Sequence, residues 1–293
     1  MRIHLVDGTY ELFRAHFSRR PEHRDAIGND AKATVGVVWS MLALLRDPEE
    51  RVTHLGIAFD NPIRSFRNDL FAGYKTDEGI PQDLLRQFDP VEAAIRAIGV
   101  VVWSMKEWEA DDALATAAAR WGGEVDQVRI LTPDKDLGQC LVGERIVQID
   151  RMRKKEWTAA TLQVERGIAP ESVPDYLALV GDTADGIPGI PGFGKKTAAA
   201  LLAEYGHIER IPPRAADWRP ALRGADILAA TLQESLEQAL LYRRLATLVR
   251  TVPLRESIDD LRWRGVPREA FDAWCRAVDA PDDLVRLAER TSQ

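Results

Sequence analysis

The sequence predicts an α/β fold with a mostly parallel sheet flanked by helices, followed by a mainly helical region. Three observations carry this. Short apolar runs at 2–6 (RIHLV), 54–59 (HLGIAF) and 128–131 (VRIL) are separated by long stretches of helical periodicity. The runs are apolar on both faces, as in strands covered on both sides. Each also runs into aspartate: Asp7, Asp60, and the Thr132-Pro133-Asp134-Lys135-Asp136 segment. Ligands of open α/β sheets bind outside the carboxyl ends of the strands, so these acids belong on one functional rim.

Taken in order, helical periodicity is read at 33–45, 83–98, 111–121 and 197–205. Residues 62–86 mix Arg64, Phe66, Arg67, Tyr74 and Lys75, a pattern that suits either a nucleic-acid strand or an ordinary surface loop. Glu109-Ala110-Asp111-Asp112 opens the helix at 111–121. One acid there offsets the helix dipole; three within four residues point towards metal binding. Residues 151–157 (RMRKKEW) form the densest basic cluster, open to phosphate contact or to simple solvation. Gly181–Ala198 (GDTADGIPGIPGFGKKTA) places Asp182 and Asp185 three apart, then a glycine- and proline-rich run that predicts a tight hairpin, then Lys195, Lys196 and Thr197 at a helix start. Beyond about 215 the chain reads as helical, with a core stripe of Leu228, Leu232, Leu236, Leu240 and Leu241 and a helical tail at 257–293.

The bulk numbers restrict the class. With 45% hydrophobic and 29% charged residues, 293 residues describe an ordinary globular chain with ample core. Cys140 and Cys275, far apart and in apolar contexts, argue against a disulfide framework and fit a reducing, cytoplasmic setting. No run reaches membrane-spanning length, and the first strand begins almost at the N-terminus, leaving no room for a signal peptide. Net charge is −7, which does not exclude nucleic acid when metal-bound carboxylates account for much of it.

Asp7, Asp60, Glu109, Asp111, Asp112, Asp134, Asp136, Asp182 and Asp185 fall at strand ends, loops and helix starts. So many ionised carboxylates share a cleft only when cations neutralise them. An oxygen-only donor set without a His or Cys cluster points to Mg²⁺ or Mn²⁺ and against zinc. Two such ions roughly 3.5–4 Å apart give the arrangement for in-line displacement at phosphorus. Two rival motifs fail. Gly189–Lys196 nearly fits a nucleotide-triphosphatase phosphate loop, but Lys196 stands where Ser or Thr must hold the metal and no strand precedes it. A haloacid-dehalogenase-like phosphatase would need its nucleophilic aspartate at position 5, which is Leu5.

Taken together, Val6-Asp7-Gly8, Ala58-Phe59-Asp60, Ser65-Phe66-Arg67 with Gly73-Tyr74-Lys75, Glu109–Asp112, Leu131–Leu137 and Gly181–Gly189 resemble the 5′-nucleases: the 5′–3′ exonuclease domain of bacterial DNA polymerase I, phage 5′-nucleases and flap endonucleases. The resemblance runs from residue 2 to about 255 and, with no polymerase segment following, suggests a free-standing form. It implies a PIN-like core at 1–172 with a helical arch at about 62–95. It further implies a helical DNA-binding region at 173–293 with a helix–hairpin–helix-type element at about 175–206. Asp7, Asp60, Glu109, Asp111, Asp112 and Asp134 would surround the catalytic ion or ions, and Asp136, Asp182 and Asp185 would complete a second site. Lys75 matches the arch lysine that contacts the scissile phosphate, with Tyr74 as base-stacking candidate and Arg67 as a further phosphate contact. Gly189, Gly192, Gly194, Lys195, Lys196 and Thr197 would follow the duplex backbone through main-chain N–H groups, with a K⁺ ion at the hairpin.

The expectation is therefore a monomeric, Mg²⁺-dependent 5′–3′ exonuclease and flap endonuclease acting on 5′-flaps, nicks or junctions in primer removal and DNA repair. A PIN-type ribonuclease, or a DNA-junction binding protein with vestigial chemistry, is the alternative. Two positions depart from the family pattern. Gly186 replaces a usual Asn, which is expected to loosen the turn, and Glu78 replaces an Arg, lowering the positive charge of the arch.

Overall fold

β-Branched residues in the three apolar runs favour strands, and the first two end on aspartate. The computed structural model describes residues 1–291. In chain order its elements are β1 (Arg2–Asp7), α1 (Gly8–His16), α2 (Lys32–Leu45), β2 (His54–Asp60), α3 (Arg67–Leu70), α4 (Gln82–Leu85), α5 (Phe88–Ala97), β3 (Val101–Met105), α6 (Ala110–Trp121), β4 (Gln127–Leu131), β5 (Ile146–Asp150), β6 (Lys155–Trp157), α7 (Ala159–Arg166), α8 (Val173–Val180), α9 (Lys195–Tyr205), α10 (Ala225–Glu234), α11 (Leu236–Ala246), α12 (Arg268–Val278) and α13 (Asp282–Thr291). They form two compact units: Met1–Ile63, Asp77–Thr132 and the chain from Arg250 onward in the first, Arg64–Thr76 and Pro133–Val249 in the second.

In the first unit β1 pairs in parallel with β2 and β4, and β2 with β3. Ile3, Leu5, Val6, Leu55, Ile57 and Phe59 are all buried. Each such side chain contributes roughly 1.5–3 kcal/mol on leaving water. Helices α1, α5 and α6 pack against the strands. The register sets Asp7 against Ala58 and Asp60 against Met105, so the strand-end acids lie at one end of this sheet.

The tail returns to the first unit, where α12 packs on α5 and α13 on α2. Trp263 Nε1–H donates to the Ile98 carbonyl at 2.9 Å. The units thus cut the chain differently from a division at 172/173. The 62–95 stretch holds only the one-turn α3 and α4 before α5, whose Phe88, Val91 and Ile95 are buried in the first unit.

In the second unit α8, rich in Leu and Val, packs against α9 and α11 around Leu177, Leu179, Leu201 and Leu245. The leucine stripe is split. Ser235 separates α10, where Leu228 and Leu232 are buried, from α11, where Leu236 and Leu240 are partly buried. Lys155 of the basic cluster pairs with Glu165 and lies 3.7 Å from the Trp157 ring centroid, and Arg153 pairs with Asp150. These internal partners favour the solvated-turn reading of 151–157.

Candidate active site

In the first unit every acid at the strand ends is held by a local donor. Asp7 caps α1: Oδ1 accepts the Tyr10 N–H at 2.8 Å and Oδ2 accepts the Thr132 hydroxyl at 2.9 Å. Asp60 Oδ1 accepts the Ala110 N–H at 2.7 Å, tying the end of β2 to the start of α6. Glu109 and Asp112 form a capping box, in which the Glu109 N–H donates to Asp112 Oδ2 at 3.0 Å. Asp7, Asp60, Glu109 and Asp112 are buried and Asp111 is half-buried. Oriented carboxylates in low dielectric are costly alone and suit a cation.

The second unit brings Asp136, Asp182 and Asp185 within 4.8 Å of one another through one carboxylate oxygen each. Asp182 and Asp185 reach this point from a turn, not from a helix. Asp182 and Ile187 pair as an antiparallel bridge, with N–H···O distances of 2.8 and 2.7 Å. Asp136 is 4 % exposed and its Oδ1 is buried without a hydrogen-bond partner among the described residues. Burial, then the neighbouring charges of Asp134, Asp185 and Asp182, push its carboxyl well above the usual range. An orphaned buried oxygen beside two further carboxylates is the donor chemistry of a hard divalent cation, so the residues present fit such an ion. Asp134 is exposed and caps the following 3-10 turn through the Asp136 N–H at 2.9 Å.

Two lysines flank this trio. Lys135 Nζ lies 2.8 Å from Asp182 Oδ2, and Lys75 Nζ lies 3.2 Å from Asp185 Oδ1. Lys75 is thereby placed beside the acids, and so is Lys135, which the sequence reading does not single out although it lies inside the Leu131–Leu137 motif. Its position between two aspartates was the available signal.

Two expectations on the preceding segment are corrected. Tyr74 is 3 % exposed and belongs to the second unit's hydrophobic core, so its ring is not presented for base stacking. Arg67 is 1 % exposed. Its Nε and Nη2 donate to the Leu245 and Thr247 carbonyls at 2.8 and 3.1 Å, so it satisfies buried backbone and does not reach towards a phosphate. The aromatic–basic pattern reads the same for a core-facing and a solvent-facing stretch, and only packing separates them.

Gly186 is also corrected. Its φ is +73°, and a Cβ there would stand 2.1 Å from the Gly73 carbonyl oxygen. The glycine does not loosen the turn; it lets the 73–75 backbone seat directly on it. The Lys75 N–H donates to the Asp185 carbonyl at 3.1 Å.

Helix α8, the hairpin and α9 form the helix–hairpin–helix element. Gly189, at φ +78°, would bring a Cβ to 2.6 Å from the Gly181 nitrogen, so the hairpin closes only with glycine there. Gly192 also has positive φ, and Gly194 caps α9 without a side chain and with open space around it. Lys195 and Lys196 are exposed, Thr197 is half-buried, and no acid stands in the first turn of α9. Unpaired N–H groups and two ammonium groups at an open helix start suit an anion.

Comparison with known proteins agrees with this architecture. Residues 2–167 match the family model described as 5′-3′ exonuclease, N-terminal resolvase-like domain, and residues 168–269 match 5′-3′ exonuclease, C-terminal SAM fold. DNA polymerase I of Pseudomonas aeruginosa is 36% identical over 296 residues, covering 99% of this chain and 32% of the relative. DNA polymerase I of Bacillus caldotenax is 32% identical over 298 residues, covering 100% of this chain and 33% of the relative. The chain thus spans about a third of the length of the curated relatives it matches. Phage T5 5′-exonuclease with zinc ions bound shares the fold at TM-score 0.63 and 17% identity, covering 99% of this chain and 98% of that one. Phage T5 flap endonuclease in a pseudo-enzyme–product complex with DNA and metal ions does so at TM-score 0.62 and 19% identity, covering 99% and 100%.

Proposed function

The chain belongs to the 5′-3′ exonuclease family, and from that premise we propose that it is a Mg²⁺-dependent, structure-specific 5′-nuclease. It hydrolyses DNA phosphodiester bonds near the single-strand/duplex junction of 5′-flaps or nicks, in primer removal and repair. The observation that carries the reading is the Asp136, Asp182 and Asp185 trio, which joins the orphaned buried oxygen of Asp136 to two carboxylates of the segment that leads into the open start of α9.

Asp7, Asp60, Glu109, Asp111 and Asp112 would hold one divalent ion, and Asp136, Asp182 and Asp185 a second; Mn²⁺ would substitute. When bound, such ions activate the attacking water and stabilise charge building on the phosphate oxygens. The chain's own groups do the rest. The capping box and the Thr132 hydroxyl hold the carboxylates in fixed orientation before any ion arrives. Lys75, anchored by its backbone to Asp185, supplies a cation for the scissile phosphate. Gly189, Gly192, Gly194, Lys195, Lys196 and Thr197 would track the duplex backbone, and a K⁺ ion would sit at the hairpin. The cytoplasm is the compartment consistent with two free cysteines, and no helix among the described residues is long and apolar enough to cross a membrane.

The test is a 5′-labelled flap, a matched single-stranded RNA and a blunt duplex, each with Mg²⁺ or EDTA. Metal-dependent cutting at the flap base is expected. Tight flap binding without cutting would instead indicate a junction-binding protein, and preferential RNA cleavage a PIN-type ribonuclease.

A further inference from the structure

We propose that the second unit contains a distinct pocket for one backbone phosphate of a DNA strand, built by Arg166, Tyr176 and Lys135 behind the start of α9. A cavity of about 430 Å³ is lined by these residues together with Lys195, Lys196 and Glu165. The inference rests on the nuclease reading and deepens it. It adds side chains from α7, α8 and the Asp134–Cys140 turn to a contact otherwise assigned to the hairpin alone.

The charge balance of the lining argues for an anion. Glu165 is already ion-paired with Lys155. Arg166 is half-buried and lies 4.9 Å over the Trp157 ring centroid, yet it makes no ion pair or side-chain hydrogen bond among the described residues. Lys195 and Lys196 have no carboxylate partner among those residues either. The Tyr176 side chain is 9 % exposed and likewise lacks a hydrogen-bond partner among them. The guanidinium held over the indole presents a planar fork of donors, a geometry matched by phosphate oxygens. A cation is excluded by the surplus of positive groups, and an apolar ligand by the unpaired donors.

Lys135 shows which phosphate. Its ammonium lines the cavity and also lies 2.8 Å from Asp182 Oδ2, so the pocket borders the acid trio. A strand lying along the first turn of α9 and continuing to those acids would leave a phosphate here.

The experiment measures binding of a nicked duplex in Ca²⁺ by fluorescence anisotropy at several salt concentrations, for the full chain and for Arg166→Gln, Arg166→Lys and Tyr176→Phe. Arg166→Gln should weaken binding about tenfold and lower the salt slope by about one, with Arg166→Lys intermediate. A single uncharged methylphosphonate, walked along both strands, should weaken the unsubstituted protein by the same factor at one position and leave Arg166→Gln unaffected there. Unchanged affinity and slope in a folded Arg166→Gln protein would overturn the proposal. So would the absence of any matching methylphosphonate position while millimolar inorganic phosphate binds, since the pocket would then serve free phosphate. If Arg166→Gln does not fold, Tyr176→Phe and the methylphosphonate walk decide the matter in the same way. Flap cleavage by the unsubstituted protein, measured alongside, separates failure of the pocket from failure of the nuclease reading.

Discussion

Asp112 serves as a helix cap and as a proposed metal ligand with one carboxyl group, and the two roles separate on substitution. Asparagine keeps an oxygen for the Glu109 N–H, at 3.0 Å in the native chain, but loses the charge. Asp112→Asn should therefore retain the fold and bind flap DNA within about twofold of the native protein, while cleavage falls by about 10²–10³-fold. Equal losses of binding and cleavage in a gel-based assay would show that residue 112 acts only through the helix start. A second residue-scale effect concerns acid stability. Neutral His4, whose basicity burial lowers, donates Nε2–H to Glu50 at 3.0 Å, and Arg129 pairs with the same carboxylate at 2.8 Å. These bonds bring the Glu50 carboxyl down to about 2. A depressed carboxylate stabilises the fold above its unfolded value, near 4.5, and that contribution drains away as pH falls through about 2. Glu50→Gln should cost about 1–2 kcal/mol near pH 6 once solvent screening is allowed for, and almost nothing near pH 2. Urea titrations of both proteins at several pH values measure the difference, which must shrink on acidification.

Among the elements, the Gly181–Gly194 hairpin is the one whose shape depends most on contacts distant in sequence. Its glycines were visible as turn formers, but the seat it offers to residues 73–75 was not, because nothing local to Gly186 names Gly73. A Cβ at 186 meets that carbonyl at 2.1 Å, and the site also has positive φ. Asn tolerates the dihedral better than Ala does. If the dihedral were the problem Asn would be mild; if the close approach is, both substitutions are severe. The structure predicts the second: Gly186→Ala and Gly186→Asn each lose about 2–3 kcal/mol of stability. Both should also lose the Lys75–Asp185 contact, read as a fall in cleavage larger than the fall in binding. A neutral Gly186→Asn would refute the close approach. The same dependence on distant partners explains Tyr74 and Arg67, whose sequence neighbourhood suits a DNA contact and whose packing puts them inside. It also explains β3, β5 and β6, whose short runs carry no pattern strong enough to announce a strand.

On the scale of the whole molecule, a net charge of −7 is spread unevenly enough that an acid trio and a cluster of cations coexist in one unit. The trio is unfavourable without a cation: Asp136 is buried with an unpaired oxygen. Asp136→Asn should therefore raise the thermal midpoint of the metal-free chain, by the equivalent of about 1–2 kcal/mol. It should also lose most of the upward shift that millimolar Mg²⁺ gives the native protein through ligand linkage. Differential scanning fluorimetry with EDTA and with Mg²⁺ measures both, and an Mg²⁺ shift that survives in the variant would remove Asp136 from the ion site. By itself the sequence determined the parallel strands and the acids at their ends, because two-sided apolar runs and terminal aspartates are local properties. It determined the hairpin and the start of α9 for the same reason, since the backbone demands of Gly189 and the open cap at Gly194 are written where they act. Only the tertiary structure decided that the tail from Arg250 rejoins the first unit and that Arg67 and Tyr74 are core residues. It alone set Lys135 against Asp182 and Lys75 against Asp185. These outcomes depend on which residues distant in the chain meet, and burial and charge pairing are settled at that meeting.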